Sequence, residues 1–398
     1  MKIIYIHQYF KKPTMSGGVR SYEFAKRLVK DGHEVVIVTS DTEEYFSGWK
    51  NEEIEGIEVH WKSVKYNNKF GFLSRVWAFY SFLLHATLHV ISIKSDIIIA
   101  TSTPLTVSIP AIVYKFVYRV PFIFEVRDVW PEIPIALGFL RNRLVISAAK
   151  LLERISYNAA SHIIALSPDM KNSIETITKT KVTVVPNAAD IELFEGRCLE
   201  SFSDKELLKK INVIRSKHKK VLFYTGTFGM VNNLSYLIDL AGFSQGDIAF
   251  VFVGDGIEKD LIIEKSKERN LIDSVVYFFS PIPKDKLWVL HNSFDMAVST
   301  VLPIKPLYSN SANKVFDAFA AGSPILINHS GWLQEIIEKN VCGIVLGEKP
   351  SFGEYTRLTD FLFDEEKIVL ARKNAKKLGE SDFNRDTLYL KFIEGINK

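Results

Sequence analysis

The segment SNSANKVFDAFAAGSPILIN, residues 309–328, sets an amide, an ammonium and a carboxylate at the head of an otherwise small, apolar helix. On a helix Asn313 and Asp317 are four apart and share a face, while Val315, Phe316 and Phe319 turn toward a sheet. Ser311 is placed to cap the helix, and the free N–H groups of its first turn, together with Lys314, suit a phosphate. Asp317, one turn further in, can accept hydrogen bonds from neutral hydroxyls such as those of a ribose. Ala318, Ala320, Ala321 and Gly322 let the helix lie close to the sheet. The bland alternative is an exposed acid on a surface helix.

Two further groups could do chemistry. In VRDVWPE, 126–132, Arg127 and Asp128 follow a buried run, where an unpaired charge is costly. Either they form a structural ion pair, or Asp128 faces a ligand as a general base or hydroxyl-positioning group. Gly17-Gly18, just ahead of a helix, could bring backbone N–H groups to a phosphate with help from the helix dipole. The alternative there is an ordinary tight turn. The chain has no G-x-G-x-x-G, no G-x-x-x-x-G-K-S/T and no Asp-x-Asp. A dinucleotide fingerprint, a Walker loop and a carboxylate-held divalent metal are therefore not expected, and no cofactor is assigned. VGDG, 253–256, is by itself a common strand-closing turn.

These groups need elements to hold them. In the first half KIIYIH, EVVIVTS, DIIIATS, PFIFEV, HIIALS and VTVVPN read as strands. The clearest helix there is GGVRSYEFAKRLVKDG, with Gly32 as its stop. In the second half the strands are VLFYTG, IAFVFVG, SVVYFF, MAVST, PILIN and GIVL. They alternate with the helical patterns LSYLIDLA, KDLIIEKSKERN, KDKLWVLHNS, NKVFDAFAA and WLQEIIEKN. Short apolar strands alternating with amphipathic helices predict parallel sheets covered on both faces. The expected fold is α/β, two Rossmann-like doubly wound domains facing across a cleft. The first spans 1–194 and the second 195–375, with 195–219 read as a linker plus a short helix. Residues 376–398 form a C-terminal helix that packs back on the first domain. Ligands of such sheets bind beyond the carboxyl ends of the strands. Those ends carry His7, Gly17, Gly18 and Arg20, then Thr103 and Pro104, then Arg127, Asp128, Trp130 and Glu132. In the second half they carry Thr227, Phe228, Gly229, Asp255 and Gly256.

With 398 residues, 47% hydrophobic and 24% charged, the chain suits two or three soluble domains. A net charge of +4, not gathered in one block, speaks against nucleic acid. Cys198 and Cys342 lack metal-ligand spacing and suit a reducing compartment. The start MKIIYIHQYFKKP reads as a first strand, not a secretory signal. The stretch 76–93 carries no Asp, Glu, Lys or Arg, but its His85, His89, Ser81 and Ser92 disfavour a spanning helix. Residues 65–93 add Lys65, Lys69 and Arg75 to a run of aromatics. That pattern fits a membrane-docking helix as well as a buried one.

The chain resembles the retaining glycosyltransferases of family 4, which have the GT-B fold. The likeness rests on SGGVRSYEFAKRLVKDGHEV (16–35), VVPNAAD (184–190), YTGTFG (224–229), VGDG (253–256) and NKVFDAFAAGSPIL (313–326). IHQYF (6–10), VRDVWPE and the Asn-Lys-x-x-Asp segment look most like an O-antigen and capsule branch that includes proposed N-acetyl-L-fucosaminyltransferases. The resemblance implies a nucleotide-diphosphate sugar held mainly by the second domain and an acceptor held mainly by the first. It implies a polyprenyl-linked saccharide as acceptor, at the cytoplasmic face of the inner membrane, and no metal. Carried onto this sequence, Asp317 would contact the ribose. Gly17 and Gly18 would approach the phosphates, and Gly226, Thr227, Gly229, Gly254, Ile282 and Asn313 would complete the donor site. Asp128 and Arg127 would be catalytic. The family's first paired glutamate falls on Ser309, and its Arg and Lys after the TG strand are missing from GTFGMVNN. Arg20 and Lys314 are the expected substitutes at the diphosphate. A nucleotide-sugar epimerase and a non-catalytic subunit that keeps the fold stay open as alternatives.

Overall fold

The computed structural model describes residues 1–15, 17–42, 44–64 and 72–396. Ser16, Lys65, Lys69 and Phe70, and the side chain of Arg75, fall outside what is described. The chain divides into two compact units. One is Met1–Pro186 with Ser309–Ser311 and Leu388–Lys398; the other is Asn187–Tyr308 with Ala312–Thr387.

The first unit is built on eight strands: β1 (Lys2–Ile6), β2 (Glu34–Asp41), β3 (Trp49–Ile54), β4 (Ile57–Ser63), β5 (Ile97–Thr101), β6 (Phe122–Val126), β7 (His162–Ala165) and β8 (Val182–Val184). They lie in the order β3-β4-β2-β1-β5-β6-β7-β8. All neighbours are parallel except β3 and β4. The central strands are buried on both faces, as the continuous run Ile3, Ile4, Tyr5 and Ile6 requires. The chain leaves β1 for β2 on one side and returns to β5 on the other, so its switch point lies at the β1 and β5 carboxyl ends.

The β3–β4 hairpin was not expected. Its signal is local: Glu55 and Gly56 both have positive φ (48° and 80°), the two-residue turn that joins right-twisted antiparallel strands. WKNEEI is polar because β3 is an edge, where charge blocks further pairing.

The second unit carries β9 (Lys220–Thr227), β10 (Ile248–Asp255), β11 (Val276–Phe279), β12 (Met296–Ser299), β13 (Ile325–Ile327) and β14 (Gly343–Val345). The order is β11-β10-β9-β12-β13-β14, all parallel. Its division from the first unit falls at Pro186, earlier than residue 194, because Ala189 and Phe194 are buried in the second core. The expected linker plus short helix contributes to that core too. Lys205–Lys217 is a helix, capped by Asp204 and anchored through Ile211 and Ile214. At the other end, Leu378 and Phe383 stay with the second core, and the chain joins the first unit only from Leu388 onward. There Phe392 packs on Phe24, ring centroids 4.5 Å apart, and Tyr389 Oη donates to Asp31 Oδ2 (2.6 Å). None of the described helices is long and apolar enough to cross a membrane.

Phe392 is wholly buried against Phe24. Phe392→Ala is therefore expected to destabilise the first unit by about 3–5 kcal/mol, read from urea unfolding.

Candidate functional site

At the carboxyl end of β9 the backbone is set by close approach. A Cβ on Gly254 would sit 1.9 Å from the Gly226 carbonyl oxygen, so the ends of β9 and β10 come closer than any side chain permits. Thr227 is exposed at this end, and its carbonyl accepts from Tyr224 Oη (2.8 Å) and Asn232 Nδ2 (2.9 Å). Both residues also hold Lys314. Its Nζ lies 4.1 Å from the Tyr224 ring centroid and donates to Asn232 Oδ1 at 3.3 Å. A Cβ on Gly226 would stand 3.8 Å from that same Nζ. So the GTFG loop, which has no cation of its own, receives one from the helix Asn313–Ala321. Among the described residues no carboxylate is within ion-pair distance of Lys314. Lys314 keeps some exposure as a residue, and burial pulls its pKa down to about 7. An unpaired cation beside an exposed glycine loop is chemically suited to an anion with several acceptor oxygens.

The other expected donor residues surround this point unevenly. The helix N-cap is Ala312 rather than Ser311, so no side-chain oxygen caps the first turn. Asn313 opens that turn and is partly exposed. Gly229 precedes the short turn Met230–Asn232, and Ile282 packs partly buried against the core. Tyr224 and Asn232 were missed by sequence reasoning. Asn232 was in view within GTFGMVNN, but an amide that binds a distant lysine leaves no local pattern.

Asp317 is neither exposed nor alone. It is 5% exposed, and Oδ1 lies 3.2 Å from Lys284 Nζ. The same ammonium is 2.8 Å from Asp190 Oδ2, and Asp190 also pairs with Arg385. Two acids and two bases thus share one buried cluster within the second unit. Burial raises the Asp317 carboxyl against the pull of Lys284, with Asp190 adding to the rise. Burial acts the same way on Asp190, but Lys284 and Arg385 together hold it well below the usual range. The surface-acid alternative is overturned. Lys284 and Arg385 were not anticipated, since each is an ordinary charged residue until the fold brings it to Asp190.

In the first unit the expected phosphate cation is already engaged. Arg20 is 2% exposed, with Nε 2.8 Å from Glu125 Oε1 and Nη2 and Nη1 donating to the Val185 and Pro186 carbonyls (2.8 and 2.5 Å). Its guanidinium also covers the Phe24 ring at 4.6 Å. Arg20 is therefore a structural clamp, not a diphosphate ligand, because every face of the group is taken. Glu125, overlooked inside PFIFEV, also accepts from Thr101 (2.5 Å) and Tyr5 (3.1 Å). Burial would raise its carboxyl, but Arg20 and Arg127 outweigh that and hold it below the ordinary value. Gly17 has φ 134°, and a Cβ there would press on Lys11 at 3.2 Å.

Arg127 and Asp128 do not form the ion pair of the structural alternative. Arg127 Nη1 donates to His7 Nε2 (3.2 Å), and its backbone N–H donates to Ser102 Oγ (3.0 Å). Asp128 Oδ2 accepts from Thr103 Oγ1 (2.5 Å). Burial, and then Arg127, push the His7 imidazole well below its ordinary pKa, so it is neutral. His7, Thr103, Arg127 and Asp128 meet where β1, β5 and β6 end. A half-buried carboxylate steadied by one hydroxyl can still orient a second hydroxyl or take its proton.

Removing Arg20 alone leaves Glu125 buried and uncompensated. Arg20→Met is expected to lose about 3–5 kcal/mol of stability by urea unfolding, and Arg20→Met/Glu125→Leu to recover much of it.

Comparison with known proteins agrees with the two-unit α/β fold. Residues 17–193 match the model described as Glycosyltransferase Family 4, and residues 204–380 match Glycosyl transferases group 1. A protein of Methanocaldococcus jannaschii described as an uncharacterized glycosyltransferase is 25% identical over 376 residues, covering 91% of this chain and 90% of its own. Among solved structures, sucrose-phosphate synthase from Thermosynechococcus elongatus superposes with TM-score 0.78 at 14% identity, covering all of this chain and 98% of the other. HepE of Anabaena, in complex with UDP and glucose, gives TM-score 0.73 at 16% identity over 100% and 99% of the two chains.

Proposed function

The chain is a GT-B glycosyltransferase of the family 4 type, and on that premise we propose that it moves a sugar, with retention of configuration, from a nucleotide-diphosphate donor to a polyprenyl-linked saccharide. The observation that carries this reading is Lys314, a cation with no carboxylate partner among the described residues, set against Gly226 at the end of β9. It stands in for the cations that the loop after β9 lacks, and the charge that develops on the departing diphosphate is what it would stabilise. The second unit would then hold the donor, and HepE, which shares the fold, forms a complex with UDP and glucose. Asp128 would orient or deprotonate the acceptor hydroxyl, with Thr103 fixing the carboxylate and Arg127 beside it. Asp317 would reach the ribose from a carboxylate whose other side is tied to Lys284. The likeness of IHQYF and VRDVWPE to an O-antigen and capsule branch supports an N-acetylated 6-deoxyhexosamine as the sugar. It also supports a place in surface polysaccharide synthesis at the cytoplasmic face of the inner membrane.

Titration calorimetry with nucleotide diphosphates tests the donor half. A bound diphosphate favours the charged ammonium, so affinity should fall as pH rises above about 7, by up to about tenfold per unit. Lys314→Gln should weaken binding and flatten that profile; tight binding with an unchanged profile would refute the role.

The acceptor half separates from it. Asp128→Asn is expected to lower turnover by about 10²–10⁴-fold while nucleotide affinity stays within about twofold of wild type. Turnover near the wild-type rate would make Asp128 structural.

A further inference from the structure

Three helices of the first unit, Phe72–Ile91, Ser108–Tyr118 and Arg143–Ala159, form a neighbouring set. Hydrogen bonds at the end of the middle one fix the arrangement. Tyr118 Oη donates to the Ile91 carbonyl (2.5 Å) and Lys115 Nζ to the Ala159 carbonyl (2.7 Å).

The first and third helices bury one face and leave another apolar stripe uncovered, and the middle one exposes Phe116, Val117 and Tyr118 in its last turn. On Arg143–Ala159, Leu144, Ala148, Leu151 and Ile155 recur at helical spacing and are all exposed, Leu144 by 80%. The adjoining stripe, one residue earlier at each step, is Arg143, Ser147, Lys150 and Arg154, also exposed. Phe116 projects from the middle helix, 86% exposed, and Trp77, Tyr80, Leu84 and Leu88 line the outside of the first. The three helices carry a single carboxylate, Glu153, and it is buried on the inner side. Burial, with Glu132 nearby, pushes that carboxyl up to about 8, so it adds no negative charge at neutral pH.

The charge pattern selects the occupant. A second copy of this chain would set Arg143, Lys150 and Arg154 against the same cations, which opposes self-association. An anionic bilayer offers phosphates to the cations and an acyl boundary to the rings and leucines. We propose that this three-helix face docks on the surface of an anionic phospholipid bilayer, with Leu144, Leu151, Ile155 and Phe116 entering the acyl boundary. The inference rests on the lipid-linked acceptor for its purpose but not for its chemistry. It also enlarges the docking surface expected from 65–93 alone, because the most regular stripe lies on a helix that the sequence reading passed over.

Vesicle flotation with the full chain decides it. The wild type is expected to float with phosphatidylglycerol/phosphatidylcholine vesicles at low salt, to be released by salt, and to stay behind with phosphatidylcholine alone. Arg143→Gln/Lys150→Gln/Arg154→Gln should lower partitioning on the order of 100-fold. Leu144→Ser/Leu151→Ser/Ile155→Ser should lower it at least about tenfold. All six positions are exposed, and unchanged thermal unfolding would show that the variants fold. Wild type that remains unbound, or both triple variants floating like wild type, would overturn the proposal. So would a wild-type dimer in sedimentation velocity that the serine variant dissociates. Nucleotide diphosphate affinity measured without lipid reads the transferase proposal separately. Floating protein that binds no nucleotide leaves the surface standing and the donor reading refuted.

Discussion

A charge taken out of water must meet its opposite, and that constraint organises both units. In the first, Glu125 sits inside β6 only because Arg20, Thr101 and Tyr5 converge on it. The guanidinium that answers it also closes the carbonyls of Val185 and Pro186, so one ion pair ties the helix after β1 to a strand and to the end of the unit. In the second, Asp190, Lys284, Asp317 and Arg385 solve the same problem with two charges of each sign. Such clusters rarely add stability over an apolar core, but losing one member is costly. They act first as frameworks, and of their members only Asp317 has a proposed part in binding as well.

Lys314 departs from that rule. It is held by a ring face and an amide oxygen, neither of which carries the compensating charge. The remaining demand is turned toward an exposed loop whose backbone is pinned by Tyr224 and Asn232. A framework charge and a functional charge are thus told apart by what they lack, not by residue type. The same test removes Arg20 from the donor site and leaves Asp128, with one hydroxyl partner, as a carboxylate still open to a second.

The alternating pattern of strands and helices was legible because parallel strands buried on both faces are short apolar runs bounded by polar residues. Hence β1, β5, β9 and β10 emerged where KIIYIH, DIIIATS, VLFYTG and IAFVFVG stand. The hairpin β3–β4 did not, since an edge strand hides its apolar side at every second residue. Within 195–219 the polar residues suggest a solvated linker, while Ile211 and Ile214 at helical spacing point inward and tie the short helix to the second core. For the site, Asp128 and Lys314 could be singled out as charges at strand ends or helix starts. Their partners could not. Glu125 and Arg20 are 105 positions apart, and Lys284 and Asp190 also meet only through the fold.

The packing of Phe392 on Phe24 sets an order of events during synthesis. The first unit begins to form as soon as its strands emerge, but Phe392, which covers Phe24, is translated 368 positions after it. Domains made vectorially usually finish in the order they are made, at about 5–20 residues per second. Here the second unit, translated between Pro186 and Leu388, can complete while Phe24 is still waiting. The nascent chain therefore carries an uncovered aromatic surface until Phe392 emerges, and any chaperone that attends this protein finds its binding site around Phe24 and its release signal in the segment around Phe392.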